Sequence, residues 1–78
     1  MSEELMKDAI ELFRNGDIKA AVAELEGKLK SNGDVALLHH SYAEFANMLN
    51  MEEQDDVVPG GKIMMHYKKA MELSLIHI

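Results

Sequence analysis

The stretch AIELFRNGDIKAAVAELEGKL, Ala9 to Leu29, decides the fold. Before the turn, Leu5, Met6, Ala9, Ile10, Leu12 and Phe13 recur at helical spacing. After it, Ile18, Ala21, Val22, Leu25 and Leu29 do the same. Asn15-Gly16-Asp17 separates the two runs. Gly and Asn tolerate the left-handed backbone that ends a helix, and Asp caps the next one. The segment therefore reads as a helix, a tight turn and a second helix lying antiparallel to the first.

Outward from this hairpin the pattern continues. Ser2, Glu3 and Glu4 mark the first helix start: a hydroxyl can cap open N–H groups and the carboxylates face the positive end of the helix dipole. Gly27 weakens the second helix by about 1 kcal/mol relative to Ala, and Ser31-Asn32-Gly33 ends it. Asp34 is the expected cap of a third helix over Val35 to Asn50, with Leu38, Tyr42, Phe45, Ala46 and Leu49 as its buried set. Met51 to Gly61, with Glu52, Glu53, Asp55 and Asp56, is expected as a solvated acidic loop closed by the helix-breaking Pro59-Gly60-Gly61. A fourth helix carries Ile63, Met64, Tyr67, Ala70, Met71 and Leu73 as its stripe. The fold class is all-α, two antiparallel helix-turn-helix pairs, and no strand pattern competes.

The bulk properties agree. The chain has 78 residues, one domain at most, and no cysteine to add a disulfide or a thiolate metal site. With 14 acidic against 8 basic side chains, its formal charge is −6. That sign repels phosphate backbones and anionic lipid, so neither nucleic acid nor a membrane is an expected partner. No stretch approaches the roughly 20 apolar residues of a membrane span. The acidic N-terminus lacks the basic start of a signal peptide, and a cytoplasmic protein is expected.

The hairpin resembles a tetratricopeptide repeat, an α-solenoid family of stacked helix pairs. Ala9 matches the small residue of that family's first helix, Leu12 the large one three later, Gly16-Asp17 the turn, Ala21 the small residue of the second helix and Leu25 the bulky one. A degenerate second copy follows at the family's period: Ala43 stands 34 residues after Ala9, and Tyr67 and Ala70 match the end of the repeat. The resemblance divides residues 2–73 into a first repeat, about 2–34, and a second, 35–73, stretched by the 51–61 loop. It departs from the family at Asp8, Lys28, Gly33 and Ile63, and Leu5 stands where tryptophan is common.

The resemblance implies a scaffold that binds a partner protein or peptide in the groove lined by the first helix of each pair. On the matched positions the groove residues are Met6, Ile10 and Phe13 in the first copy and His40, Glu44, Asn47 and Met48 in the second. The plainer alternative is that Met6, Ile10 and Phe13 pack against the neighbouring helix. The Lys and Asn clamp with which some members hold a C-terminal carboxylate is absent: Met6, Ile10, His40 and Glu44 occupy its sites.

No enzyme is expected. The four serines sit in no nucleophile-elbow context, and GDIKAA lacks the spaced glycines and Lys-Ser/Thr of a phosphate loop. No cofactor or metal is expected either. His39 and His40 point about 100° apart on a helix and make a poor chelate, His66 is expected on the surface, and the acidic run lacks EF-hand spacing. Glu24 and Lys28 read as an i, i+4 ion pair.

The C-terminal Leu73-Ser74-Leu75-Ile76-His77-Ile78 resembles a sequencing adapter translated in frame, so residues 74–78 are expected to be a non-native tail; a natural helix extension is the other reading. Two helix pairs fall short of the three or more repeats that stable arrays need. The expectation is therefore a longer parent protein, in which this segment opens either a larger scaffold or a truncated enzyme or regulator. Self-association through the uncapped last helix is the third possibility.

Overall fold

The computed structural model describes residues 2–76, with side chains described over 4–74. Four helices follow in order: α1 (Ser2–Arg14), α2 (Ile18–Ser31), α3 (Ala36–Glu53) and α4 (Gly60–Ile76). The described residues are all-α, with no strand. Each helix packs on the next, and α3 also touches α1, so α3 is the element against which the other three assemble. None of the described helices is long and apolar enough to cross a membrane.

The α1–α2 turn forms as its residues dictate. Gly16 N–H donates to the Phe13 carbonyl and Asp17 N–H to that of Leu12, both at 3.0 Å, with Gly16 left-handed at φ 84°. This is a Schellman ending, which satisfies two otherwise open carbonyls. Asp17 also serves the helix that follows. Its carboxylate accepts from Ala20 N–H at 3.1 Å and caps α2. A Cβ on Gly16 would meet no atom within 4 Å, so Gly16→Ala tests backbone conformation alone. Gly16→Ala is expected to lower stability by about 1 kcal/mol, read as a urea midpoint shift with an unchanged slope.

The small residues let the helices approach. Ala9, Ala21, Ala43 and Ala46 are fully buried, and around them lie Met6, Val22, Leu25, Leu38, Tyr42, Leu49, Val58 and Ile63. Ala20, by contrast, is only half-buried one position before Ala21, as a helical stripe requires. The Glu24–Lys28 pair is present at 3.7 Å on the half-exposed side of α2.

Three boundaries differ from the sequence reading. First, Asp34 does not cap α3. The cap position is Val35, with no side-chain hydrogen bond, and the turn is closed instead by His39, whose Nε2 lies 2.7 Å from the Gly33 carbonyl. Second, α3 runs on to Glu53, so Met51 to Glu53 are helical and the acidic segment shrinks to residues 54–59. Gln54 ends the helix in the left-handed region at φ 54°. Asn50 then fastens the chain: its amide donates to the Val58 carbonyl at 2.8 Å and accepts from Val58 N–H at 2.9 Å. Third, Gly60 and Gly61 are not loop but the first turn of α4, because the first N–H groups of a helix need no partner from a preceding turn. Pro59 stands just before them and its carbonyl accepts from Lys62 and Ile63 N–H.

His66 is also displaced from its expected surface position. His39 and His66 are both buried, with their Nδ1 atoms 2.7 Å apart across the α3–α4 seam. Burial is feasible because each has a polar partner. At the C-terminal end, α4 continues through Ser74 to Ile76, while His77 and Ile78 lie outside the described residues, as do the side chains of Ser2 and Glu3 in the expected α1 start signal.

Candidate interaction surface

The seven groove residues separate into three groups. Met6 is buried in the core, so it offers nothing to a ligand; its place among the core residues around Ala9 makes it packing material. Phe13 is half-buried and stacks on Phe45 of α3, with ring centroids 4.7 Å apart and planes 16° from parallel. That aromatic pair ties α1 to α3. Ile10 is exposed, in a shallow hollow on α1 beside Lys7 and Arg14, and Met48 is exposed on α3.

The third group faces α4. His40 and Glu44 are exposed and paired, Nε2 to Oε1 at 2.9 Å, one helical turn apart. His40 also meets the Tyr67 ring edge-on at a centroid distance of 5.9 Å. Asn47 lines a cleft of about 700 Å³ with Met51, Met64 and Tyr67, whose rim carries Asp55 and Asp56. Tyr67 is shared with a second hollow of about 420 Å³, lined by Leu37, His40, Ala70 and Met71. The two depressions therefore follow one another along the α3–α4 seam, with Tyr67 between them.

This seam is apolar where a surface should not be. Met51 is 72 % exposed, Met64 67 % and Met71 66 %, and Leu37 is also exposed. The sequence assigned Met64 and Met71 to the buried stripe of α4, and the structure corrects this. Among the described side chains of α4, the buried ones are Ile63, His66 and Ala70, three and four positions apart. Met64, Tyr67 and Met71 have the same spacing one step round, and so flank the seam instead. The clue was available in the spacing of Ile63, His66 and Ala70, but a histidine within an apolar run reads as an interruption.

A polar cluster links α2, α3 and α4. Tyr42 is almost fully buried, with its hydroxyl 3.5 Å from Glu26 of α2. Lys62 lies 3.8 Å from the same carboxylate and 5.6 Å from the centroid of the Tyr42 ring. The Tyr42 hydroxyl and the Glu26 charge hold the Lys62 ammonium above its ordinary pKa against the opposing cost of burial. His66 is held below its ordinary value, first by burial and then by His39 and Lys62, with Glu26 opposing. Among the described residues no group of three or more His, Asp or Glu side chains is placed to hold a metal ion.

Compared with known proteins, the chain matches no family profile, no curated protein and no solved structure.

Proposed function

We propose that this chain is a protein-interaction module and that its docking site is the α3–α4 seam. The exposure of Met51, Met64 and Met71 around the two successive depressions of the seam carries the reading. Three large apolar side chains aligned on adjacent helices cost solubility unless something covers them, and methionine adapts its flexible thioether to varied partners. The way α3 lies against both α1 and α2 supports the tetratricopeptide-like stacking of one helix pair on the next. On that reading the partner lies against α3 and α4 much as α3 lies against α1 and α2.

The occupant is an amphipathic helix with a basic end. The seam has the length of α3, about 27 Å at 1.5 Å per residue, so it accommodates four to five helical turns. Asp55 and Asp56 stand at one rim, next to Glu52 and Glu53, within a chain of net charge −6. A Lys or Arg at the matching end of the incoming helix is favoured there, and apolar residues at i, i+3 or i+4 and i+7 would meet Met64, Tyr67 and Met71.

The probe is a fluorescent helical peptide of about 18 residues, the span of the seam, with leucines on one face and Lys or Arg at one end, titrated by anisotropy. Met64→Glu and Met71→Glu together are expected to weaken binding at least tenfold, since each removes an apolar contact worth about 1.5 kcal/mol or more when buried. Their stability should change by no more than about 0.5 kcal/mol, because both sites are exposed. Equal binding by the wild type and the double variant would refute the site. Light scattering over a dilution series supplies the other arm: a dimer abolished by the same variants would assign the seam to a second copy of this chain and overturn the basic-helix reading.

A further inference from the structure

We propose that the His39–His66 hydrogen bond is a proton-sensitive latch that holds α4 against α3, and that double protonation of the pair releases α4. The proposal is independent of what docks in the seam.

The hydrogen-bond chain fixes where the protons are. The Gly33 carbonyl can only accept, so His39 Nε2, 2.7 Å away, carries a hydrogen and donates it. Neutral His39 then has a bare Nδ1. His66 Nδ1, 2.7 Å from it, must carry the hydrogen between them. The relay therefore runs from His66 of α4, through His39 of α3, to the carbonyl of the α2–α3 turn. It joins three parts of the chain through two buried rings, and the residues it links are 27 positions apart.

The pair tolerates one additional proton and not two. With one, the four ring nitrogens carry three hydrogens, one of which still lies between the two Nδ1 atoms, so the bond survives. With two, both Nδ1 atoms carry hydrogens that face each other at a separation fit for only one. The two cationic rings, with centroids 5.0 Å apart, then repel.

The surrounding charges do not rescue the doubly protonated state. The groups facing His66 are His39 and Tyr42 of α3, Lys62 of α4 and Glu26 of α2. The Tyr42 ring lies 4.5 Å from that of His66, centroid to centroid, and stacks no carboxylate against it. Lys62 adds a positive charge. Glu26 supplies one carboxylate, which is already 3.8 Å from Lys62 and 3.5 Å from the Tyr42 hydroxyl.

The direction of pH dependence follows. Folding lowers the pKa of His66, so the unfolded chain binds more protons than the folded one between that lowered value and about 6.5. The contribution of His66 is full above pH about 6.5, declines as pH falls below it, and stops declining under its folded value. The first effect is on α4, because α4 packs along α3 and is linked to α2 through the Lys62–Glu26 ion pair, whereas α3 is packed on by α1, α2 and α4.

The test is amide hydrogen exchange on the whole chain at pH of about 7.5 and about 5.0, either side of the ordinary histidine value, expressed as protection factors to remove the intrinsic pH effect. Protection in α4 is expected to fall more than in α2 between these two pH values. His66→Asn keeps a side-chain N–H near the position of Nδ1 and cannot be protonated. In that variant the extra loss in α4 should vanish. Equal losses in α2 and α4 of the wild type, or the same α4 loss in His66→Asn, would overturn the latch. Should the variant fail to fold, imidazole nitrogen spectra of the wild type decide. At the higher pH they should show hydrogen on Nε2 of His39 and on Nδ1 of His66, and any other tautomer pair refutes the relay.

Discussion

Leu25→Ala is expected to leave little folded protein at room temperature. Leu25 sits in the middle of α2 with no exposed surface, inside the cluster that also holds Ala9, Val22, Leu38 and Tyr42. Truncating such a leucine costs about 2–5 kcal/mol, the lost transfer energy plus the cavity left behind. A core of this size supplies only about 3–5 kcal/mol in total. The cost is therefore comparable to the whole stability. Helical circular dichroism in urea should show a midpoint lowered by roughly 2 M or more, taking a slope of about 1 kcal/mol per molar for a small chain, or no folded baseline at all. Ile10→Ala is the control, because Ile10 is exposed on α1 and should move the midpoint far less. A Leu25→Ala shift as small as that of Ile10→Ala would mean that α2 does not carry the core.

Asn50→Ala is expected to cost about 2 kcal/mol or more, because it strands two main-chain polar groups at about 1–3 kcal/mol each. One side chain makes two hydrogen bonds to Val58, and the Asn50 main-chain carbonyl accepts from Gln54 and Asp55 N–H. Substitution leaves the main-chain bonds intact but strands both polar groups of Val58, a residue that is buried in the core. A net hydrogen bond contributes about 1 kcal/mol, while a stranded buried group costs about 1–3 kcal/mol. The loss should be local as well as global. Limited proteolysis in residues 54–59 should accelerate more than cleavage at the Asn32-Gly33 turn, which Asn50 does not touch. Asn50→Asp separates the two bonds: it keeps an acceptor for Val58 N–H and sets a carboxylate against the Val58 carbonyl. If both variants matched the wild type in urea and in proteolysis, the Val58 clamp would contribute nothing.

These two positions also mark what the sequence made legible. Leu25 is visible because its neighbours at helical spacing are apolar, and an isolated stripe suffices to place it inward. The Gly16-Asp17 turn is visible because it satisfies its carbonyls and N–H groups locally. Asn50 was not visible. Nothing in its spacing distinguishes it from any polar residue near a helix end, and its partner lies eight positions away through a loop. Hence the acidic segment read as an open loop of 51–61, when an asparagine clamp and a left-handed Gln54 fold it into 54–59. The groove residues fared similarly. His40 and Glu44 share a face, as one turn of separation requires, but Met6 lies inside and Asn47 joins a cleft with α4.

By itself the sequence determined an all-α chain of four helices, the first turn, and the small residues that let helices approach, because all of these follow from interactions within a few residues. Only the tertiary structure decided that His39 and His66 meet while Met64 and Met71 face outward. A helical stripe specifies which residues share an arc of one helix. It does not specify where on that arc the neighbouring helix lies, and a step of one residue, about 100° of rotation, exchanges a buried histidine for an exposed methionine.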